Sequence, residues 1–210
     1  MPHINSNKLD LDVPFIENTG FDCGPKAIEM VARFFGITTE FSKIKELASP
    51  YADGVTSSFG LARAAAELGL KVQYSTAVVG LDPEVFELPY YKLRGISYEM
   101  EQAKMRDLID RCRELGGTIK QGILPLQEIL TKMNKSTIPI ILVDSNVLFE
   151  GKPEYEGHFL PIVGFDKDSV FVHHSGPINP CPRLKICHEL LEKARSVKGT
   201  DWDVLFLSCR

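Results

Sequence analysis

The alternation of hydrophobic and polar positions divides the chain into helices that come first and strands that come later. Early in the chain, Ala27, Ile28 and Val31 recur at helical spacing and share one face. On the same grounds, helices are predicted over 23–35, 40–48, 58–68, 97–117, 124–134 and 185–196. Runs rich in β-branched residues predict strands over 9–15, 70–80, 138–144, 158–166, 169–174 and 203–209. Two Pro-containing segments are interpreted as loops, 88–95 and 177–183.

This order of elements predicts an α+β fold, because helices and strands are segregated along the chain. The pattern shows no internal repeat and no linker, so we expect a single domain over 1–210. It would consist of a helical lobe at about 1–135 and a β lobe at about 136–210. The helix that begins at Cys23 would then pack on a C-terminal antiparallel sheet, with a cleft between the lobes.

Composition and charge exclude several classes of protein. Hydrophobic residues make up 44% and charged residues 25%, with a net charge of −4, which is typical of a globular domain. The absence of a Lys/Arg block argues against nucleic-acid binding. No apolar run approaches the ~18 residues of a membrane span, so no membrane partner is expected. The polar N-terminus lacks a signal-peptide pattern, which predicts a cytoplasmic protein in which the five cysteines are mostly reduced thiols.

Cys23 lies at the start of the first predicted helix, where a thiol can become a nucleophile. The helix dipole and unpaired N–H groups favour a thiolate there, so we predict a lowered thiol pKa. Asp22 can cap the helix, Pro25 suits its first turn, and Gly24 leaves room for a substrate. The Cys23 backbone N–H can donate to an oxyanion. The alternative is that Cys23 is a small buried hydrophobic residue.

A nucleophilic thiol needs a base, and one β-hairpin carries three histidines. His158 opens a predicted strand, and His173 and His174 end its partner. Hairpin pairing brings His158 near His174 at one end of the sheet, where a Cys-His pair would require them; the alternative is that they are solvated strand-edge residues. Asp201 and Asp203 precede the last strand and are interpreted as strand-edge charges, with a place in the cleft as the alternative.

Several short runs resemble the C39-like branch of the papain-like cysteine peptidase superfamily. They are DCGP at 22–25, GHF at 157–159 and VGFD at 163–166. The resemblance implies a papain-like cysteine proteinase fold, with Cys23 as nucleophile and His158 as base. Over most of its length the chain further resembles the guanylyl cyclase domain-containing protein family, through ILVDSNVL at 141–148 and GTDWDVLF at 199–206.

Two positions depart from the pattern that this resemblance implies. The oxyanion glutamine of the family falls at Glu17, whose carboxylate cannot donate a hydrogen bond, so Asn18 is the alternative donor. The acidic partner of the histidine falls at His174, whose imidazole stabilises a histidinium less than a carboxylate does. We expect four further positions to line the substrate cleft, namely Asp22, Gly24, Gly157 and His173.

Four functions remain open at this point. The first is a cysteine hydrolase, peptidase or acyl-transferase that acts on a peptide or amide through Cys23 and His158. The second is a catalytically degenerate domain that binds a peptide or small ligand. The third is a zinc site built from Cys23, His158, His174 and Glu17, and the fourth is nucleotide (GTP) cyclisation, which rests on the family name alone. The first is the prediction adopted, with a peptide or small-molecule substrate, no metal and no cofactor.

Overall fold

The computed structural model describes residues 8–93, 95 and 97–209, so the ends of the domain predicted over 1–210 lie outside the described residues. The helices are α1 (Cys23–Phe34), α2 (Phe41–Ala48), α3 (Ser58–Glu67), α4 (Pro83–Phe86), α5 (Pro89–Lys92), α6 (Tyr98–Glu114), α7 (Leu126–Lys132), α8 (Ser145–Leu148) and α9 (His188–Arg195). The strands are β1 (Leu9–Asp10), β2 (Lys71–Thr76), β3 (Thr118–Gln121), β4 (Thr137–Asp144), β5 (Gly157–Phe165), β6 (Ser169–His174), β7 (Cys181–Cys187) and β8 (Val204–Ser208).

Helix α1 forms where its apolar face can be buried. Its inward residues Ala27, Ile28 and Val31 are almost fully enclosed, and the helix packs on β5, α2 and α3. Burying side chains such as Ile28 and Val31 stabilises the fold by about 1.5–3 kcal/mol each. Gly36, with a φ of 76°, ends the helix in a conformation that glycine adopts without strain. The packing of α1 on β5 fixes where the helix start meets the sheet.

The sheet runs in the order β3-β2-β8-β4-β5-β6-β7, with β1 paired to β5. All neighbours along this path are antiparallel except β2 and β3, which are parallel. The central strands β4, β5 and β8 are almost entirely buried. The helices and antiparallel sheet agree with the predicted α+β class. The sheet nevertheless includes β2 and β3 from within 1–135, the range assigned to the helical lobe.

Two strands were not predicted. Residues 181–187, divided in the prediction between a loop and a helix, form β7, and helix α9 begins only at His188. Strand β7 is at the edge of the sheet and largely exposed, so it needs no apolar alternation and tolerates Pro182. Strand β3 was missed for the same reason, since Ile119 is its one buried residue. The predicted strand 9–15 shortens to Leu9–Asp10, and part of the predicted loop 88–95 forms α5.

Several elements begin or end at the same end of the sheet, here called the rim and defined as residues 142–144, 157–159, 174–176 and 203. Asp144 at the end of β4 pairs with Gly157 at the start of β5. Asp203 immediately precedes β8, and its carbonyl oxygen accepts a hydrogen bond from the Leu142 N–H. The N···O distance is 3.1 Å, which is usual for a backbone hydrogen bond. The fold therefore gathers residues that are far apart in sequence beside the start of α1.

Candidate active site

A cavity of about 420 Å³ lies between the start of α1 and the rim. This volume falls within the range of about 300–1,000 Å³ that is usual for small-molecule and substrate sites. The lining combines a thiol, an imidazole, carboxylates and apolar side chains. The residues that line it include Cys23, Ser58, Phe59, His158, Asp201 and Asp203.

Cys23 is the first residue of α1, partly buried, and its side chain lines the cavity. Burial raises the pKa of its thiol above the ordinary value, and the negative charge of Asp22 adds to that shift. The backbone amides of Phe159, Gly24 and Cys23 itself act in the opposite direction, but they do not overcome burial. The lowered pKa predicted from the helix start is therefore wrong, because desolvation outweighs the stabilisation that the helix end supplies.

His158 and His174 form a buried pair at the rim. Nε2 of His158 lies 2.9 Å from Nδ1 of His174, and Nε2 of His174 lies 2.7 Å from the carbonyl oxygen of Ile178. A carbonyl oxygen only accepts, so Nε2 of a neutral His174 carries the proton and its Nδ1 accepts. His158 must then donate from Nε2, which leaves its Nδ1 as an unprotonated acceptor. The hydrogen-bond chain thus selects the tautomer in which His158 can take up a proton at Nδ1.

Both imidazoles are held in the neutral form. Burial, together with the neighbouring His174, lowers the pKa of His158 to about 3. Burial also lowers the pKa of His174, partly offset by its bond to the Ile178 carbonyl. A carboxylate in place of His174 would oppose these shifts, because it stabilises the protonated imidazole. With a raised thiol pKa at Cys23, the resting site holds a neutral thiol and a neutral imidazole rather than an ion pair.

The predicted side-chain oxyanion donors do not reach the cavity. Glu17 is exposed and is absent from the cavity lining. Asn18 is buried, but its side-chain amide donates to the Gly20 carbonyl at 2.6 Å, while its backbone N–H donates to the Ser175 carbonyl at 2.7 Å. Asn18 therefore anchors the segment after β6 and does not face a substrate. The backbone N–H of Cys23 lies at the helix start, where an amide has no acceptor within α1.

Of the four predicted substrate-binding residues, one lines the cavity and three do not. Gly157 lines the cavity. Asp22 lies at the N-cap position but makes no capping bond; it pairs instead with Lys45 at 2.9 Å. Gly24 packs against α3 and the residues before it: a Cβ would lie 2.7 Å from the Thr56 hydroxyl oxygen and 2.8 Å from Cδ1 of Leu61, so any larger residue would displace these side chains.

His173 does not join His158 and His174, because successive side chains of a strand point to opposite faces of the sheet. Its Nε2 donates to the Val13 carbonyl at 2.8 Å, and its Nδ1 accepts from the Arg183 N–H at 3.1 Å. With both nitrogens satisfied, His173 holds the N-terminal segment and β7 against β6, away from the cavity.

A second polar cluster, which the sequence did not reveal, lies in the same cavity. Asp203 is 4% exposed, and burial raises the pKa of its carboxyl group to about 7; Asp201 adds to that rise. Burial likewise raises the pKa of Asp201 to about 6. The strand-edge interpretation of these residues is therefore wrong, because both line the cavity. The repeated acid in DWD at 201–203 was the available signal, but only the fold shows that it turns inward.

The described residues include no group of three or more His, Cys, Asp or Glu side chains placed to hold a metal ion. Because Glu17 does not line the cavity, the zinc alternative lacks the fourth ligand that it required. In the part of the chain that the structure describes, no helix is both long and apolar enough to cross a membrane.

Comparisons with known proteins agree with the fold and add a family. A model of the family described as Guanylylate cyclase matches residues 14–207. Guanylyl cyclase 1 of Arabidopsis thaliana is 25% identical over 215 residues, which cover 94% of this chain and 76% of that protein.

Among solved structures, similar ones are cysteine peptidases. A putative C39-like peptidase from Bacillus anthracis has a TM-score of 0.57 at 15% identity, covering 97% of this chain and 98% of the other. The peptidase domain of Streptococcus ComA, a bi-functional ABC transporter, has a TM-score of 0.52 at 14% identity, and the match covers 94% of this chain and 99% of the other. The Carica candamarcensis cysteine protease CMS1MS2 in complex with E-64 has a TM-score of 0.51 at 11% identity, and the match covers 98% of this chain and 99% of the other. These likenesses show the papain-like fold predicted from the sequence.

Proposed function

This chain belongs to the guanylylate cyclase family, and we propose that it uses its papain-like fold as a cysteine hydrolase or acyl-transferase on a peptide or amide. Cys23 is the nucleophile and His158 the base in this proposal. The observation that carries it is the hydrogen-bond chain from the Ile178 carbonyl through His174. This chain leaves Nδ1 as the acceptor nitrogen of His158, and His158 and Cys23 line the same cavity.

The chemistry follows from these positions. Nδ1 of His158 takes the proton from Sγ of Cys23 as the sulfur attacks the substrate carbonyl carbon. The carbonyl oxygen becomes an oxyanion and accepts from the Cys23 backbone N–H. The proton on His158 passes to the leaving amine, the C–N bond breaks, and a thioester remains. Water completes hydrolysis, whereas a second amine completes acyl transfer.

The electrostatics of the site make the proton transfer part of the attack. Burial raises the pKa of the Cys23 thiol and lowers that of His158 to about 3, so a thiolate–imidazolium pair is disfavoured before substrate arrives. His174 gives His158 an orientation and a tautomer, but no negative charge. We therefore expect a slower enzyme than one that has a carboxylate at this position.

The same neutral pair supports a second candidate, a domain that binds a ligand without turnover. Nucleotide cyclisation, suggested by the name of the Arabidopsis relative, has less support from the cavity. Among the described residues that line it are Asp53, Glu156, Asp201 and Asp203, and none is Lys or Arg. Such a lining disfavours a triphosphate, since like charges repel.

The pair is tested by alkylation of Cys23 with iodoacetamide at pH 7.5, read by peptide mass spectrometry in the wild type and in His158→Gln. We expect the variant to react at least about tenfold more slowly, because the base that accepts the thiol proton is lost. His188→Gln, which removes a histidine outside the cavity, is the matched control and should react as the wild type does. Equal rates in wild type and His158→Gln would overturn the pair and favour the binding domain.

Turnover is tested with a library of fluorogenic peptide amides. Hydrolysis should be abolished in Cys23→Ala and retained in Cys181→Ala, whose cysteine lies outside the cavity. Formation of cyclic GMP from GTP that survives Cys23→Ala would contradict the proposal and favour cyclisation.

A further inference from the structure

The cavity contains polar groups that the Cys23–His158 chemistry does not use. Asp203 and Ser58 are 4% and 5% exposed, and both line the cavity. Oδ1 of Asp203 and Oγ of Ser58 have no hydrogen-bond partner among the described residues, and neither has the buried hydroxyl of Tyr74. Buried polar atoms in native proteins are normally paired, and an unpaired one calls for an explanation. Here three of them gather at one place.

The charge around this cluster is negative. Asp201 lines the same part of the cavity, and its charge adds to the rise in the pKa of Asp203. The hydroxyls of Ser58, Thr76 and Tyr74 oppose that rise, yet none forms a well-shaped hydrogen bond with Oδ1. Oδ1 of Asp203 therefore keeps an unmet acceptor beside a second acidic group in the cavity lining, which favours a positively charged occupant.

A buried cation of the protein interacts with Asp203, but its two terminal nitrogens form hydrogen bonds to other groups. Arg195 is fully buried, and its charge interacts with Asp203. Its guanidinium donates to Glu192 at 2.8 Å and to the Leu124 carbonyl at 3.2 Å. Arg195 therefore does not supply the donors that Oδ1 of Asp203 lacks.

Apolar side chains border the cluster within the cavity. Phe59, Met105 and Leu142 line it and are less than 10% exposed. Apolar walls with acidic groups in the same cavity match an alkyl chain that ends in a cation, because such a group buries its methylenes while its head binds to oxygen atoms.

We propose that Asp201, Asp203 and Ser58 form a subsite that binds an ammonium or guanidinium group at the end of an alkyl chain. This inference rests on the proposed function, in which the cation belongs to the substrate that Cys23 attacks. An ammonium offers three donors and a guanidinium five, which suffice for the unpaired oxygens. A metal ion is the less suitable occupant, since the described residues provide no group of three ligating side chains.

Binding is measured by calorimetry in Cys23→Ala, so that the result does not depend on turnover. The probes are butylammonium and butylguanidinium, compared with the neutral 1-butanol. We expect the cations to bind at least about tenfold more tightly, and Asp203→Asn in the same background to lose that preference, because a buried charge pair is broken. Asp168→Asn removes the same charge outside the cavity and should leave binding unchanged.

Asp201→Asn is the second variant, in case Asp203→Asn alters the fold. Equal binding of 1-butanol and the cations, or cation binding unchanged in both variants, would overturn the subsite. Mg²⁺ binding without butylammonium binding would overturn it in favour of a metal. Nα-acetyl-lysinamide and 1,5-diaminopentane then distinguish a peptide-borne cation from a free polyamine, and tighter binding of either supports the subsite.

Turnover separates this inference from the proposed function. With wild-type protein, lysyl and arginyl peptide amides should be hydrolysed at least about tenfold faster, as kcat/KM, than the norleucyl amide. Cation binding without any turnover would refute the proposed function alone. Turnover without a cationic preference would refute the subsite alone.

Discussion

Replacing Asp203 by Asn should change how the stability of the protein depends on pH. The carboxyl group of Asp203 is buried at the rim beside Asp201, and Oδ1 lacks a hydrogen-bond partner among the described residues. Asn has nearly the same shape but never ionises. The substitution therefore isolates the free energy that the folded protein loses when this buried carboxyl group becomes charged.

The size of the effect follows from the two pKa values. The ordinary pKa of the carboxyl group is 3.8, whereas burial raises it to about 7 in the folded protein. Between these values the unfolded chain has lost a proton that the folded protein retains, so stability falls as pH rises through this window. The full difference corresponds to about 4 kcal/mol. The part that falls between pH 5 and pH 8 is about 2–3 kcal/mol.

The assay is urea unfolding of the wild type, Asp203→Asn and Asp168→Asn at several pH values from 5 to 8. The free energy of unfolding of Asp203→Asn, relative to the wild type, should increase by about 2–3 kcal/mol across this range. The same difference for Asp168→Asn, an exposed aspartate outside the cavity, should remain nearly constant. Parallel wild-type and Asp203→Asn curves would show that the carboxyl group is not desolvated as the structure indicates.

Three further predictions concern the reactive pair and its helix. Alkylation of Cys23 should increase with pH and reach half its limiting rate above pH 9, because burial raises the thiol pKa above 9.0; a rate at pH 6 equal to that at pH 9 would contradict this. His174→Phe should slow alkylation of Cys23 at pH 7.5 by about tenfold, because His158 loses its tautomer selection, and should lower the free energy of unfolding by about 1–3 kcal/mol. His174→Asn can still donate and accept hydrogen bonds, so it should recover part of the alkylation rate and part of the stability. If His174→Phe changes neither the alkylation rate nor the free energy of unfolding, His174 has no role in the site. Gly24→Ala should lower the free energy of unfolding by about 1–3 kcal/mol in urea titrations, because its Cβ would lie 2.7 Å from a threonine oxygen. Gly20→Ala has space for its Cβ and should unfold as the wild type does.

The neutral thiol–imidazole pair has a consequence for how the site is recognised. A fast reaction of Cys23 at low pH would identify a thiolate, but its absence would not exclude catalysis, because in the proposed mechanism His158 accepts the proton during attack. Dependence of the Cys23 rate on His158 is the more informative measurement. It reports whether His158 affects the reactivity of the Cys23 thiol, and it does so whichever protonation state the two side chains have before the reaction.

Local patterns in the sequence identified the family and the fold class, and they supplied the candidates for the proposed Cys23–His158 pair. The family and the papain-like α+β fold are confirmed. Cys23 could be placed at a helix start, because capping and apolar spacing act over a few residues. His158 and His174 could be placed near each other, because hairpin pairing follows from a short turn. The roles assigned to these residues remain predictions.

Only the tertiary structure determined the pKa shifts in the site and which residues line the cavity. Burial, which raises the pKa of Cys23 and lowers that of His158, depends on residues from distant segments, so the helix start alone gave the wrong direction. The alternation of β6 directs His173 away from the cavity. Asp203 enters it because β8 lies between β2 and β4. Sequence patterns report local spacing, whereas desolvation and long-range strand pairing arise only when the chain is packed.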